Sequence, residues 1–230
     1  MKRFYTDASV IEMEGGFGVA LDGKPVKTPG KADLMVPVSA LAEAIAAEWE
    51  AQEDQIDLAS MPMLRLAATA IDRVAAKRNE VMAIALKFAE TDLLCYRADE
   101  PPELVVRQAK VWQPLLNWAA EDLNAPLEVT EGIVPIVQPQ KALGGLGTAL
   151  MALTDLEMTA VSGIAAATSS LIIGFAVKSG RLTPKEAAEA GLLDELFQMK
   201  QWGEDKIALE RHASIRQEIN ESARLLELLS

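Results

Sequence analysis

A long stretch without charged side chains is the feature that most constrains how this chain can fold. Met158 to Val177 spans 20 residues with no Asp, Glu, Lys or Arg, about the length that crosses a lipid bilayer. The stretch nevertheless carries Thr159, Ser162 and Thr168 among many alanines, and these dilute its hydrophobicity. A buried central helix explains it better than a membrane span, so we expect no stable membrane insertion.

Composition narrows the classes of fold and partner. The 230 residues fit one large domain or two small ones. Half of them are hydrophobic but only 5% are aromatic, which favours closely packed helices over a β-sandwich. Thirty-four acidic and 22 basic residues give a net charge of −12. Because such a surface repels phosphate backbones, we expect no nucleic-acid partner.

Turn-forming residues concentrate before Pro37. Asp22-Gly23 lies between short apolar segments, and this dipeptide predicts a type I′ hairpin because both of its central positions need positive φ. Pro25 cannot donate a ladder hydrogen bond, so its strand should lie at a sheet edge.

Helical periodicity and capping signals dominate after Val38. The predicted helices begin near Val38 and cover about 63–76, 79–96, 103–123, 139–152, a central uncharged helix, 183–191, 194–201 and 204–228. Thr183-Pro184-Lys185-Glu186 is a capping box with proline at the first helical position. We therefore predict an α+β fold with a small β-rich N-terminal domain, residues 1–58 including one helix, and a larger mainly α-helical domain, residues 59–230. Residues 126–137 are predicted to be an extended strand that could join the N-terminal sheet.

Few residues could carry catalytic or metal chemistry. Cys95 is the only cysteine and His212 the only histidine. Cys95 ends an apolar segment and is interpreted as a core residue, while His212 is predicted to lie on a solvated helix. A zinc site needs several such ligands, so we expect no metal and no cofactor. The lone cysteine suits a reducing compartment.

Two other clusters are weaker candidates. Residues 144–148 are glycine-rich but lack the lysine of a phosphate loop, and we interpret them as a loop or a weak helix start. Glu90 and Asp92 are expected to cap a helix or to pair with Arg65 or Arg73. The N-terminus lacks the pattern of a signal or transit peptide, so a bacterial cytoplasmic protein is the simplest interpretation.

Six segments, in order along the chain, resemble the chaperone family that assembles the F1 sector of ATP synthase by holding its α subunit. The segments are LDGKPVKTP (21–29), EWEAQ (48–52), TAID (69–72), ETDLLCYR (90–97), WQPLL (112–116) and LDELFQMKQWG (193–203). The resemblance implies a non-enzymatic chaperone that prevents aggregation of the unassembled α subunit, and we expect it to be a monomer. Alternatives are a small-molecule enzyme using Cys95 or a carboxylate, and a general holdase.

The resemblance also implies where the partner binds. The family has a functionally important glutamate in the segment that here contains Asp194 and Glu195, and Glu195 is the stronger candidate. Phe197, Trp202 and Trp49 are further candidates for partner contact. The family more often has aspartate where this chain has Gln113, which argues against an essential acid there. We predict that Glu195 is exposed or half-exposed on a helix, beside apolar groups such as Leu196 or Trp202. The alternative is that Glu195 only pairs with Lys200 or Arg211 within the fold.

Overall fold

A small antiparallel sheet opens the chain. The computed structural model describes residues 1–132, 134–203 and 205–230. The strands of the sheet are β1 (Ala8–Met13), β2 (Gly16–Leu21), β3 (Lys24–Pro25) and β4 (Met35–Val36). Strand β2 is central, since it pairs with all three others.

The turn between β2 and β3 is the predicted hairpin. Asp22 and Gly23 have φ values of 47° and 77°, and Leu21 pairs with Lys24 across the two-residue loop. Positive φ at both positions is the type I′ geometry that matches strand twist. Pro25 lies in the edge strand, so the sheet needs no hydrogen bond from the N–H that proline lacks.

Helices make up most of the rest of the chain. They are α1 (Ser39–Glu50), α2 (Pro62–Thr69), α3 (Arg78–Glu90), α4 (Pro102–Asp122), α5 (Gln140–Met151), α6 (Asp155–Thr168), α7 (Leu171–Lys178), α8 (Pro184–Gly191), α9 (Leu193–Trp202) and α10 (Lys206–Leu228). The α+β fold class, with strands first and helices after, is thereby confirmed. The capping box of α8 is also as predicted, because Thr183 and Glu186 bond reciprocally to each other's backbone N–H.

The chain forms two compact units. The first comprises Met1–Arg78, Asp155–Thr159 and Arg224–Ser230. The second comprises Asn79–Thr154 and Ala160–Ala223. Within the first, α1 packs on β1 and β2; within the second, α4, α7, α8 and α9 pack together. The domain boundary near residue 58 stays a prediction.

The segment 126–137 does not extend the N-terminal sheet. Among the described residues, its only strand is β6 (Thr130–Glu131), which pairs in parallel with β5 (Tyr96–Arg97) in the second unit. Pro126 and Pro135 lack the N–H groups that a longer ladder would need. Ile133 lies outside the described residues.

The predicted central helix is in fact two helices. Ser169 adopts a φ of 55° and ends α6, and the Ser170 hydroxyl then caps α7 by accepting a hydrogen bond from the backbone N–H of Ile173. The first seven residues of α7 are buried, so the apolar run does serve as core. In the described parts of the chain, no helix is both long and apolar enough to cross a membrane.

Two further helix predictions need correction. The helix predicted to continue to Tyr96 ends at Glu90, because Asp92 caps a short 3-10 turn at Leu93–Cys95. The glycine-rich residues 144–148 are neither a loop nor a helix start but lie inside α5. A Cβ atom on Gly145 would lie 2.4 Å from the carbonyl oxygen of Asn124, so glycine permits α5 to approach the end of α4.

Candidate partner-binding site

Helix α9 presents one apolar side to the core, and its two acidic residues are each partly exposed. Leu193 and Phe197, one helical turn apart, are buried. Asp194 and Glu195 occupy the first turn, where negative charge interacts favourably with the helix dipole. The helix ends at Trp202, after which Gly203 takes a φ of 96° that favours glycine.

Glu195 is half-exposed and is held by two residues of α10. Its Oε2 atom lies 2.7 Å from Nε2 of His212 and also accepts a hydrogen bond from the Arg211 guanidinium. Partial burial alone would raise the pKa of Glu195, but the hydrogen bonds from Arg211 and His212 outweigh it and lower that pKa below its ordinary value. Glu195 is therefore ionised at neutral pH, as an acceptor-only group.

His212 is buried, not solvated as predicted. Its side chain is only 1% exposed, and it lies on one side of α10 with the buried residues Ile215 and Ile219. This i, i+3, i+7 spacing indicates that the three residues share one buried face of the helix. The charged neighbours Glu210 and Arg211 instead suggested a solvated helix. Because ionised Glu195 can only accept, Nε2 of His212 carries the proton. The Nδ1 atom is buried and has no hydrogen-bond partner among the described residues.

Asp194 lies in a different environment from its neighbour. It is half-buried, and its Oδ1 accepts a hydrogen bond of 2.8 Å from Nε2 of Gln108 on α4. Burial is the main cause that raises the pKa of Asp194, and the adjacent Glu195 raises it further. Gln108 also accepts a 2.8 Å hydrogen bond from the backbone N–H of Ala98. This amide, buried within the apolar face of α4, was not identified as a site residue from the sequence.

The three aromatic residues predicted to contact the partner differ in their exposure to solvent. Trp202 is 81% exposed, whereas Phe197 is 7% and Trp49 6% exposed. Phe197 and Trp49 therefore lie in the core of this structure, and direct partner contact by either stays a prediction. Trp49 belongs to the first unit, where its ring packs edge-on against Tyr5.

The segment EWEAQ (48–52), which contributes to the family resemblance, stabilises the fold of the first unit. The carboxylate of Glu48 accepts hydrogen bonds from the backbone N–H groups of Met63 and Leu64, at 2.7 and 2.9 Å. These are N–H groups of the first turn of α2 that have no partner within the helix. Glu48 thereby joins α1 to α2, and Trp49 fills the core beside it.

Exposed apolar side chains surround the junction of α9 and α10. Trp202 ends α9, and Ile207 and Leu209, which are 75% and 40% exposed, lie in the first turn of α10. We name Glu195, Trp202, Ile207 and Leu209 the α9–α10 surface; Glu204 lies outside the described residues. An ionised carboxylate with exposed apolar groups on the same two helices is suited to binding another protein.

Cys95 and Asp92, two of the residues considered for catalysis, are buried. Cys95 is fully buried, and desolvation, aided by the charge of Asp92, raises the pKa of its thiol to about 12. The carboxylate of Asp92 accepts hydrogen bonds from the backbone N–H groups of Leu94 and Ile172, as the capping interpretation predicted. Burial raises the pKa of Asp92 to about 6.

Residues 2–120 match the family model described as ATP12 chaperone protein. The chain belongs to the ATP12 chaperone family. This membership confirms the resemblance found in the sequence and supports a role as an ATP synthase assembly chaperone.

Solved structures agree with the ATP12 assignment over the whole chain. Atp12 from Paracoccus denitrificans is 39% identical, with a TM-score of 0.95, and the match covers 100% of this chain and 98% of that one. An aspartate-to-lysine mutant of the same protein matches with a TM-score of 0.96 at the same identity and coverage. A structure from Agrobacterium tumefaciens is also 39% identical, with a TM-score of 0.94, covering 100% of this chain and 86% of that one.

Proposed function

We propose that this ATP12-family protein is a non-enzymatic chaperone that holds the unassembled α subunit of F1 and prevents its aggregation until assembly. Trp202 carries the argument, because an 81% exposed tryptophan on the same helix as a held carboxylate is unusual on a surface that meets only water. In this proposal the protein acts as a monomer in the bacterial cytoplasm.

The two parts of the α9–α10 surface have different tasks. Trp202, Ile207 and Leu209 supply apolar area, which provides most of the affinity for apolar surface on an unassembled subunit. Glu195 supplies a single directional acceptor, which fixes the register of the complex. An unassembled subunit exposes surface that its neighbours would later cover, and covering it in the interim prevents aggregation.

Co-expression tests the proposal. The α subunit of the same organism is expressed with and without the chaperone, and its soluble fraction is measured. We expect the chaperone to increase that fraction, and Trp202→Ala or Glu195→Gln to reduce the gain. Val106→Ala is the control, because Val106 is also a strongly exposed apolar residue, 67% exposed, and lies on α4, outside the α9–α10 surface.

Three results would contradict the proposal. The first is no gain in soluble α subunit with the parent chaperone. The second is equal loss in the Val106→Ala control. The third is equal protection of an unrelated thermally unfolded enzyme, which would instead identify a general holdase.

A further inference from the structure

His212 occupies a buried position of the kind that apolar residues usually fill. The ring is buried beside Ile215 and Ile219, and its Nδ1 atom has no partner in the described residues. A buried polar atom without a hydrogen bond destabilises the folded state, whereas an apolar side chain of similar volume has no such penalty. The one thing that histidine offers here and leucine does not is the Nε2–H donor to Glu195.

The two oxygens of Glu195 are used unequally. Oε2 receives both internal hydrogen bonds, from His212 and from Arg211. Within the described part of the chain, Oε1 accepts none. The Arg211 side chain is 58% exposed and can move away, whereas His212 is enclosed by the core and cannot.

We propose that His212 is a positioning residue, which fixes Glu195 through Oε2 and thereby presents Oε1 to an N–H donor of the bound partner. The inference rests on the proposed function, since the partner is the α subunit. A carboxylate already held in place loses less side-chain entropy when the partner binds, so its hydrogen bond contributes more to affinity. Because Arg211 balances the charge, the donor can be a neutral amide or a basic side chain.

Two substitutions of His212 separate positioning from a structural role. His212→Leu removes the donor and the unpaired nitrogen while nearly preserving volume. We expect unchanged or greater resistance to urea unfolding and about tenfold weaker binding of the α subunit, the loss of one hydrogen bond to a charged group. His212→Gln can again donate to Glu195, so we expect it to recover most of the affinity.

A double variant links the effect to Glu195. In a Glu195→Gln background, His212→Leu should weaken binding no further, because each change alone already removes the positioned carboxylate that accepts the partner's hydrogen bond. If the parent protein does not bind the α subunit, the proposed function itself fails. If the parent binds but His212→Leu binds equally well, or if neither His212 variant folds, the histidine is structural and only the positioning role is overturned.

Discussion

Gln108 donates a 2.8 Å hydrogen bond to Asp194, although 86 residues separate them in the chain. The same amide accepts a hydrogen bond from the backbone N–H of Ala98, so one buried side chain joins α4, α9 and the segment after β5.

Gln108→Leu nearly preserves the side-chain volume but removes one hydrogen-bond partner from the Ala98 N–H and one from the Asp194 carboxylate. We expect the free energy of unfolding to fall by about 2–3 kcal/mol, measured by urea denaturation.

The control for this prediction lies on the same helix. Lys110 is exposed, and Lys110→Ala should change stability by less than about 0.5 kcal/mol. An equal loss in both variants would show that the Gln108 network contributes nothing beyond helix propensity.

Gly145 and Gly144 offer a matched pair within α5. A Cβ atom at Gly145 would lie 2.4 and 2.5 Å from two backbone carbonyl oxygens, whereas none of the surrounding atoms lies within 4 Å of a Cβ at Gly144. Gly145→Ala should therefore destabilise the protein by about 2–3 kcal/mol. Gly144→Ala should be neutral or stabilise it by up to about 1 kcal/mol, because alanine favours helix. Equal melting temperatures for the two variants would contradict the close approach of α5 to the end of α4.

The buried Asp92 carboxyl should make stability depend on pH in mildly acidic solution. Its folded-state pKa of about 6 exceeds its ordinary value of 3.8, so the folded protein takes up a proton that the unfolded chain does not. Its contribution to stability therefore rises as pH falls toward 4 and is lost as pH rises through 6. Between about pH 7 and pH 5 the gain is about 1 kcal/mol.

Asp92→Asn provides the comparison, because the amide does not titrate. The parent should gain stability relative to this variant as pH falls from about 7 to 5, measured by urea unfolding at each pH. The raised pKa of Asp194 acts in the same direction. The pKa of Glu195 is lowered, so its contribution to the stability of the fold is lost only at lower pH, as pH falls through its folded-state pKa. A constant difference between parent and variant would refute the buried-carboxyl explanation.

Cys95 should resist alkylation until the protein unfolds. Its thiol is fully buried with a pKa of about 12, and the thiolate is the reactive form. At pH 8 the thiolate population is about a thousandfold lower than at the ordinary pKa of 9. Iodoacetamide labelling followed by mass spectrometry should show slow modification in buffer and rapid modification in urea. Rapid labelling of the folded protein would reopen the case for a reactive cysteine.

Features determined by neighbouring residues could be predicted from the sequence. The Asp22-Gly23 turn and the Thr183 capping box require only local backbone geometry and short-range hydrogen bonds. The break at Ser169 could not be predicted in this way, because serine at positive φ is uncommon and depends on the packing of α6 and α7.

The location of the candidate site stays a prediction, whereas the contacts of its residues are seen only in the structure. The resemblance placed Asp194, Glu195 and Trp202 in one segment, and the structure leaves Glu195 and Trp202 at the surface. What holds Glu195 could not be deduced, because His212 is 17 residues away and appears polar among its neighbours. The burial of Phe197 and Trp49 could not be deduced either, since aromatic residues favour interfaces and cores alike.

The long sequence separations in the second unit have a consequence for biosynthesis. At about 5–20 residues per second, roughly 4–17 s pass between translation of Gln108 and of Asp194. During that interval α4 has no α9 to pack against, and the buried N–H of Trp112 lacks its partner, the carbonyl of Ala190. The growing chain must itself avoid aggregation through this period, before α9 is seated and the α9–α10 surface exists.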